Sequence, residues 1–323
     1  MQERPRRNRK NAGIRGLVRE TALSPSHLVL PMFVQEGEKH ATPIQSMPGQ
    51  YRLSVDLVVA QAREAFELGV PAVALFPALS DELKDPRGRE SLNPKGLLQR
   101  CVRALKQALP ELVVITDVAL DPYSSDGHDG VVIDGRIDND ETLPLLAKMA
   151  VAQAEAGADV VAPSDMMDGR VGAIREALDD AGHADVLICS YCCKYASAFY
   201  GPFREALDSA PRGGDKKTYQ MDPANARECL REVRLDQEEG ADWLMVKPGL
   251  PYLDIVRLVA DESELPVAVY NVSGEYAMLK AAAANGWIDF DACLVESLVS
   301  LRRAGADIIF TYGAAEAARI LAK

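Results

Sequence analysis

The stretch Glu238–Pro248, EEGADWLMVKP, reads as the end of a helix, a glycine, and an apolar run that stops at a lysine. Gly240 suits the left-handed position just past a helix end. The run after it is short enough to be a buried strand. The same phrase returns at Glu155–Asp165 (EAGADVVAPSD) and Arg303–Gly313 (RAGADIIFTYG), and more loosely at Glu67–Pro77 (ELGVPAVALFP). Strands that are apolar at every position bury both faces, which is the habit of parallel sheets. Collected along the chain, runs of this kind begin at Leu28, Pro71, Leu112, Ala158, Asp185, Ala241, Pro266 and Ala306. Between them lie segments such as VDLVVAQAREAFELG, LLQRCVRALKQAL, TLPLLAKMAVAQAEAG and VGAIREALDDAG, whose apolar residues recur at three and four. Eight alternating strand and helix units in 323 residues predict a (β/α)8 TIM barrel rather than an open doubly wound sheet. No G-x-G-x-x-G or Walker loop follows any of the runs, which argues against a dinucleotide fold.

Composition narrows the function classes. Asp and Glu number 48 against 36 Lys and Arg, giving a net charge of −12 and a pI near 4.9, so nucleic acid is not the expected partner. Hydrophobic residues at 48%, charged residues at 26% and a mean hydropathy of −0.09 describe an ordinary globular chain. No apolar segment after Met1 reads as a signal, and no stretch has transmembrane length, so no membrane partner and a cytoplasmic location are expected. Six cysteines (Cys101, Cys189, Cys192, Cys193, Cys229 and Cys293) in a chain of this length do not resemble a disulfide framework. The C-x-x-C spacing of Cys189 and Cys192 falls in an expected strand, where residues three apart face opposite ways, so buried thiols are the better reading. The basic run RPRRNRK, Arg4–Lys10, fits a solvated terminus, an arm clasping an acidic neighbour or, least well, a nucleic-acid contact.

A barrel demands that chemistry sit at the C-terminal ends of its strands, and those ends (TDVALDP, APSDMMDGR, SYCCKY, MVKPG, YNVSGE, FTYGA) are far more polar than the strand bodies. Lys194 and Lys247 close the fifth and sixth runs, so they should be neighbours on one rim. Mutual repulsion and burial both disfavour the ammonium form, and push at least one amine toward neutrality near pH ~7, where it can attack a carbonyl. A rim lysine can also serve as an ion-pair partner or a phosphate ligand. The loop Thr116–Gly130, TDVALDPYSSDGHDG, adds Asp117, Asp121, His128 and Asp129. Asp121 and Asp129 are candidate ligands for a hard cation such as magnesium. The run SDMMDGR supplies Ser164 and Asp165, while Asp168 reads as a helix cap.

The motifs KYASAFYGPFR, VAPSDMMDGR, MVKPGLPYLDI, VYNVSGEYAM and AGADIIFTY resemble the porphobilinogen synthase (5-aminolevulinate dehydratase) family, over nearly the whole chain from about Arg4 to Tyr312. The resemblance implies a lyase of tetrapyrrole biosynthesis that condenses two 5-aminolevulinate molecules to porphobilinogen with loss of two waters. By the matching motifs, Lys247 forms the Schiff base with the substrate supplying the acetyl side, and Lys194 engages the propionate-side molecule. Asp117, Ser164 and Asp165 surround the reacting centre. Arg204 and Lys216, with Gln220 in the same mobile segment, hold one substrate carboxylate, and Ser273 and Tyr312 hold the other. Tyr200, Phe203 and Tyr270 form the walls. Zinc-using members carry three cysteines where this chain has Ala119, Asp121 and Asp129, so no catalytic zinc is expected. The resemblance implies an allosteric magnesium at Glu232, a residue that alone would read as an exposed helical glutamate. Lys216 stands where other members have arginine, which keeps the charge and loses the fork. It further implies that residues 1–25 form an extended N-terminal arm for subunit contacts, that 26–323 form the catalytic barrel, and that arm-embraced dimers build a homo-octamer. Two rival readings are a class I Schiff-base aldolase on the same barrel, with Lys247 its only imine-forming lysine, and a catalytically silent barrel kept for assembly.

Overall fold

A computed structural model describes residues 2–207 and 211–322; Met1 and Lys323, at the outer ends of the two expected segments, lie outside it. The expected barrel is the one observed. Its strands are β1 (Leu28–Val34), β2 (Ala72–Pro77), β3 (Val113–Val118), β4 (Val160–Pro163), β5 (Leu187–Lys194), β6 (Trp243–Lys247), β7 (Val267–Asn271) and β8 (Ile308–Thr311). All are parallel and pair in chain order, and β8 returns to β1 through Leu28 opposite Ile309 and Val29 opposite Phe310, closing the ring. The outer helices are α1 (Val55–Glu67), α2 (Leu97–Ala108), α3 (Asn139–Ala156), α4 (Arg170–Asp180), α5 (Glu228–Glu238), α6 (Leu253–Glu262), α7 (Ser273–Ala284), α8 (Phe290–Ala304) and α9 (Ala314–Leu321).

The continuous apolar strands fill two separate cores. Phe33, Phe76, Ile115, Tyr191, Met245 and Phe310 pack inside the ring, whereas their neighbours Met32, Leu75, Val114, Cys192, Leu244 and Ile309 pack outward under the helices. Each strand is apolar at every position because each face has its own core. Gly157, Gly240 and Gly305, the glycines of the repeated phrase, all have positive φ and turn helix ends into strands as expected.

The rim loops are longer than the opposite ones. A hairpin (Val131–Ile133 with Arg136–Asp138) extends the β3–α3 loop, and the stretches 195–207 and 211–221 fold over the β5 end, their outer limits tied by a Tyr195–Met221 bridge. These stretches, the lid, include a short helix at Gly201–Leu207. Ahead of β1, Pro5–Arg9 and Ala12–Leu17 form two short helical pieces with no buried residue. Among the described residues no helix is long and apolar enough to cross a membrane.

Candidate active site

Lys247 and Lys194 are directly paired across β5 and β6. That pairing depends on an irregularity the sequence pattern conceals. Trp243 is opposite Cys189, and strict alternation would carry Lys247 opposite Cys193; instead the register shifts between Leu244 and Val246, and Lys247 meets Lys194. On β5, Cys189 and Tyr191 face into the ring, whereas Cys192 and Cys193 both pack outward, the latter with its thiol 3.9 Å from the Cys229 carbonyl on α5. A β-bulge adds one residue to one strand and re-aims the side chains beyond it. Here it turns Lys194 inward beside Lys247. The expected buried, unbridged thiols are found, with Cys293 half-buried.

The two amines have different surroundings. Lys247 Nζ stands 4.5–5.3 Å from the ring centres of Tyr191, Tyr200, Phe203 and Tyr270, and has no ion pair among the described residues. Burial first, and then the Lys194 ammonium, drive the Lys247 amine down to about 7, against the pull of Asp117, Asp121 and Asp129. Asp117, near the end of β3, moves the other way, up to about 7, through burial and the Asp121 carboxylate, with Lys194, Lys247 and the Ser164 hydroxyl opposing. An amine and a carboxyl brought to the same proton affinity can exchange a proton at little cost. Lys194 is paired: its Nζ lies 3.1 Å from Asp129 Oδ2 and donates to the Ser164 carbonyl.

The fully buried Asp129 carboxylate also accepts from Lys216 Nζ at 2.6 Å, and Lys216 reaches Asp121 at 3.3 Å. Burial disfavours the Asp129 charge, yet Lys194 and Lys216 hold its carboxyl at about 2. Burial opposes the Lys216 ammonium in turn, and Asp121 and Asp129 raise its pKa overall. Between Asp121 and Asp129, read from the sequence as candidate ligands for a hard cation, stands the ammonium of Lys216 from the lid. His128 pins the same loop, with Nδ1 3.0 Å from the Tyr219 hydroxyl and Nε2 2.8 Å from the Gly213 carbonyl.

The remaining expected residues divide between wall, lid and periphery. Tyr200 donates to the Lys247 carbonyl at 3.1 Å, the Tyr270 and Tyr312 hydroxyls are 3.1 Å apart, and Phe203 packs against Phe33 and Phe76. Ser273 Oγ accepts from Phe203 N at 3.0 Å and donates to the Phe199 carbonyl at 3.4 Å, so it holds the lid down. Arg204 is half-buried on the lid helix. Gln220 is buried, with its Oε1 unpartnered among the described residues, and Ser164 is 4% exposed. Asp165 is fully buried; one oxygen accepts from Met167 N at 2.7 Å and the other has no partner among the described residues, and burial pushes its carboxyl up to about 6 despite Arg170. The helix cap expected at Asp168 is Gly169, whose φ of +79° lets the chain enter α4.

Glu232 lies apart from the lysines. It is half-buried on α5, and faces a cavity of about 1250 Å³ that also touches Gln220, His128 and Asp168 but neither Lys194 nor Lys247. Burial, Asp236, Asp168 and Glu228 push its carboxyl up to about 7, against Arg170. A divalent cation would relieve that crowding of like charges. Among the described residues, however, no group of three His, Cys, Asp or Glu side chains stands ready to hold a metal.

Several supporting residues are invisible in the sequence. Gln50 Nε2 donates to the Tyr276 hydroxyl and the Tyr312 carbonyl, both at 3.2 Å, and Tyr276 donates to the Pro48 carbonyl. Arg170 and Asp236 form a buried pair at 2.6 Å behind β5, joined by Ser190. Glu275 is fully buried and accepts backbone N–H groups from the turn after Lys247. No sequence signal singles out Glu275: the residue three before it is Val272, which is not a capping-box residue type.

A family model described as delta-aminolevulinic acid dehydratase matches residues 2–320. The chain is 60% identical over 323 residues to the chloroplastic delta-aminolevulinic acid dehydratase of Physcomitrium patens, spanning 99% of this chain and 74% of that protein. It is 61% identical to the chloroplastic enzyme of Glycine max, spanning 99% and 78%. Among solved structures, the Toxoplasma gondii delta-aminolevulinic acid dehydratase (porphobilinogen synthase) in complex with the reaction product porphobilinogen superposes with a TM-score of 0.97 at 56% identity, covering 99% of this chain and 91% of that one. The cytoplasmic location expected from the sequence is overturned by the two plant relatives, which are chloroplastic proteins. Unbridged thiols and the lack of a spanning segment suit any reducing aqueous compartment, and so could not separate the two.

Proposed function

The chain belongs to the delta-aminolevulinic acid dehydratase family and is a lyase that condenses two 5-aminolevulinate molecules to porphobilinogen with loss of two waters; we propose that Lys247 and Lys194 are the amines that carry this reaction. The observation that supports the assignment is the Lys247 amine at about 7, among four rings and opposite Lys194.

In this reading the neutral Lys247 amine attacks a substrate ketone, the carbon–nitrogen bond forms, and the ketone oxygen leaves as water. The resulting iminium acidifies the adjacent C–H for carbon–carbon bond formation. Lys194 engages the ketone of the second molecule, whose oxygen leaves as the second water, and the second molecule's amino group displaces Lys247 from the first molecule's carbon, closing the pyrrole ring and freeing both amines. Asp117, matched to the same proton affinity as Lys247, accepts and returns protons, with Ser164 and Asp165 beside it. Lys216 and Arg204 hold one carboxylate with Gln220 near them, Ser273 and Tyr312 the other, and Tyr200, Phe203 and Tyr270 keep water out.

A magnesium ion at Glu232 is the regulatory cation of this proposal, and no catalytic zinc enters it, because Asp121 and Asp129 replace thiolates and are engaged by Lys216. Residues 1–25 serve as an arm between subunits of a homo-octamer, and 26–323 are the catalytic unit. The deciding experiment is pyrrole formation from 5-aminolevulinate, with chelator and then magnesium or zinc added back, beside borohydride trapping mapped by mass. Pyrrole with both lysines modified is expected, with magnesium and not zinc restoring lost activity. No pyrrole and a single modified lysine would sink the assignment in favour of aldolase chemistry.

A further inference from the structure

We infer that Glu275 is a positioning residue for the reaction: its carboxylate fixes the turn beyond Lys247 and so aims the Lys247 amine. The inference rests on Lys247 being the imine-forming amine.

Glu275 is fully buried at the start of α7, and no Lys or Arg pairs with it among the described residues. Burial pushes its carboxyl up to about 7, and the four N–H groups that bond it favour the charged form against that. Oε1 accepts from Leu250 N at 2.6 Å and Asn271 Nδ2 at 3.2 Å, and Oε2 accepts from Val272 N at 2.7 Å and Gly249 N at 3.3 Å. The Val272 bond is the backward half of a capping box and needs no further explanation. The Gly249 and Leu250 bonds are different, because they leave α7 for the end of another strand, two and three residues past Lys247. Asn271 extends the tie, since its Oδ1 accepts from Thr311 Oγ1 at 3.0 Å, so the ends of β6, β7 and β8 converge on one carboxylate.

The turn has no slack. A Cβ at Gly249 would lie 3.0 Å from Leu301, 3.2 Å from the Tyr270 carbonyl and 3.4 Å from Glu275 itself. The adjoining residues do related work on other walls: Ser273 bonds the lid, and Tyr276 bonds the loop at Pro48. Glu275 touches no reacting atom. It acts through the Gly249–Leu250 backbone.

Glu275→Gln is the discriminating variant. The amide keeps the shape but turns one oxygen into a donor, and either orientation sets that donor against N–H groups: Leu250 and Asn271 on one side, Gly249 and Val272 on the other. The readout is the rate at which 5-aminolevulinate and borohydride modify Lys247 relative to Lys194, with kcat and KM measured alongside. Expected is a drop of about 10- to 100-fold in Lys247 modification and in kcat, with Lys194 modification and KM little changed. Wild-type Lys247 modification and kcat in the variant would overturn the inference, as would an equal loss at both lysines, which marks a purely structural role. Should Glu275→Gln not fold, Asn271→Ala decides: it removes one donor, and a smaller loss confined to Lys247 supports the inference while none refutes it. If wild-type enzyme itself shows no Lys247 adduct, the premise fails and the inference with it, whatever Glu275 does.

Discussion

Lys247 illustrates how a site is made at the cost of the fold. A buried ammonium without a partner is unfavourable, and the chain tolerates it by holding the amine near neutrality among aromatic rings. Because its folded pKa lies below the unfolded value, the unfolded chain binds the extra proton, and stability on this account rises as pH climbs from about 7 toward the usual lysine range. Lys247→Met should therefore abolish pyrrole formation while leaving the protein as stable at pH 7 or more so, by about 1–2 kcal/mol, as read by thermal melting. The wild-type kcat/KM should fall as pH drops through about 7, where Lys247 becomes charged and Asp117 loses its charge; an acid limb well below that value would contradict the assignment. Both lysines were legible in the sequence because each stands alone at the end of an apolar run. Glu275 was not, since the third residue of a helix is an ordinary place for glutamate.

At the scale of elements, strand positions were readable and their inner register was not. Periodicity located all eight strands, but a strand apolar on both faces gives no alternation from which a bulge can be seen. Only the three-dimensional pairing shows why Cys192 and Cys193 are adjacent and both face outward. The mobile segment after β5 was implied only by the family resemblance, and its fastening was not legible at all. Gly274 approaches the Phe199 carbonyl so closely that a Cβ there would lie 2.5 Å from it. Gly274→Ala should lift the lid without touching either amine, lowering kcat/KM about 10- to 100-fold, with faster amide hydrogen exchange over 199–207 as the accompanying measurement. Unchanged exchange and kinetics would mean the lid does not depend on this contact.

For the molecule as a whole, the repeated helix–glycine–strand phrase was enough to predict closure, because eight such units have few other ways to bury both strand faces. Location and assembly were not legible, since neither leaves a mark on the barrel core. The exposed pieces at Pro5–Arg9 and Ala12–Leu17, with Leu17 87% exposed, bury none of their residues against the rest of the chain. Deleting residues 2–18 should therefore lower the assembly mass in light scattering while the barrel keeps its circular dichroism; an unchanged mass would remove the arm from the proposal. Closure of β8 onto β1 has a consequence for how copies can meet. Every barrel strand already has a neighbour on each side, and among the described residues the free backbone edges belong to three-residue pieces such as Ala41–Pro43. Growth by strand addition has almost no template here, so any higher-order architecture has to be written in side chains rather than in main-chain ladders.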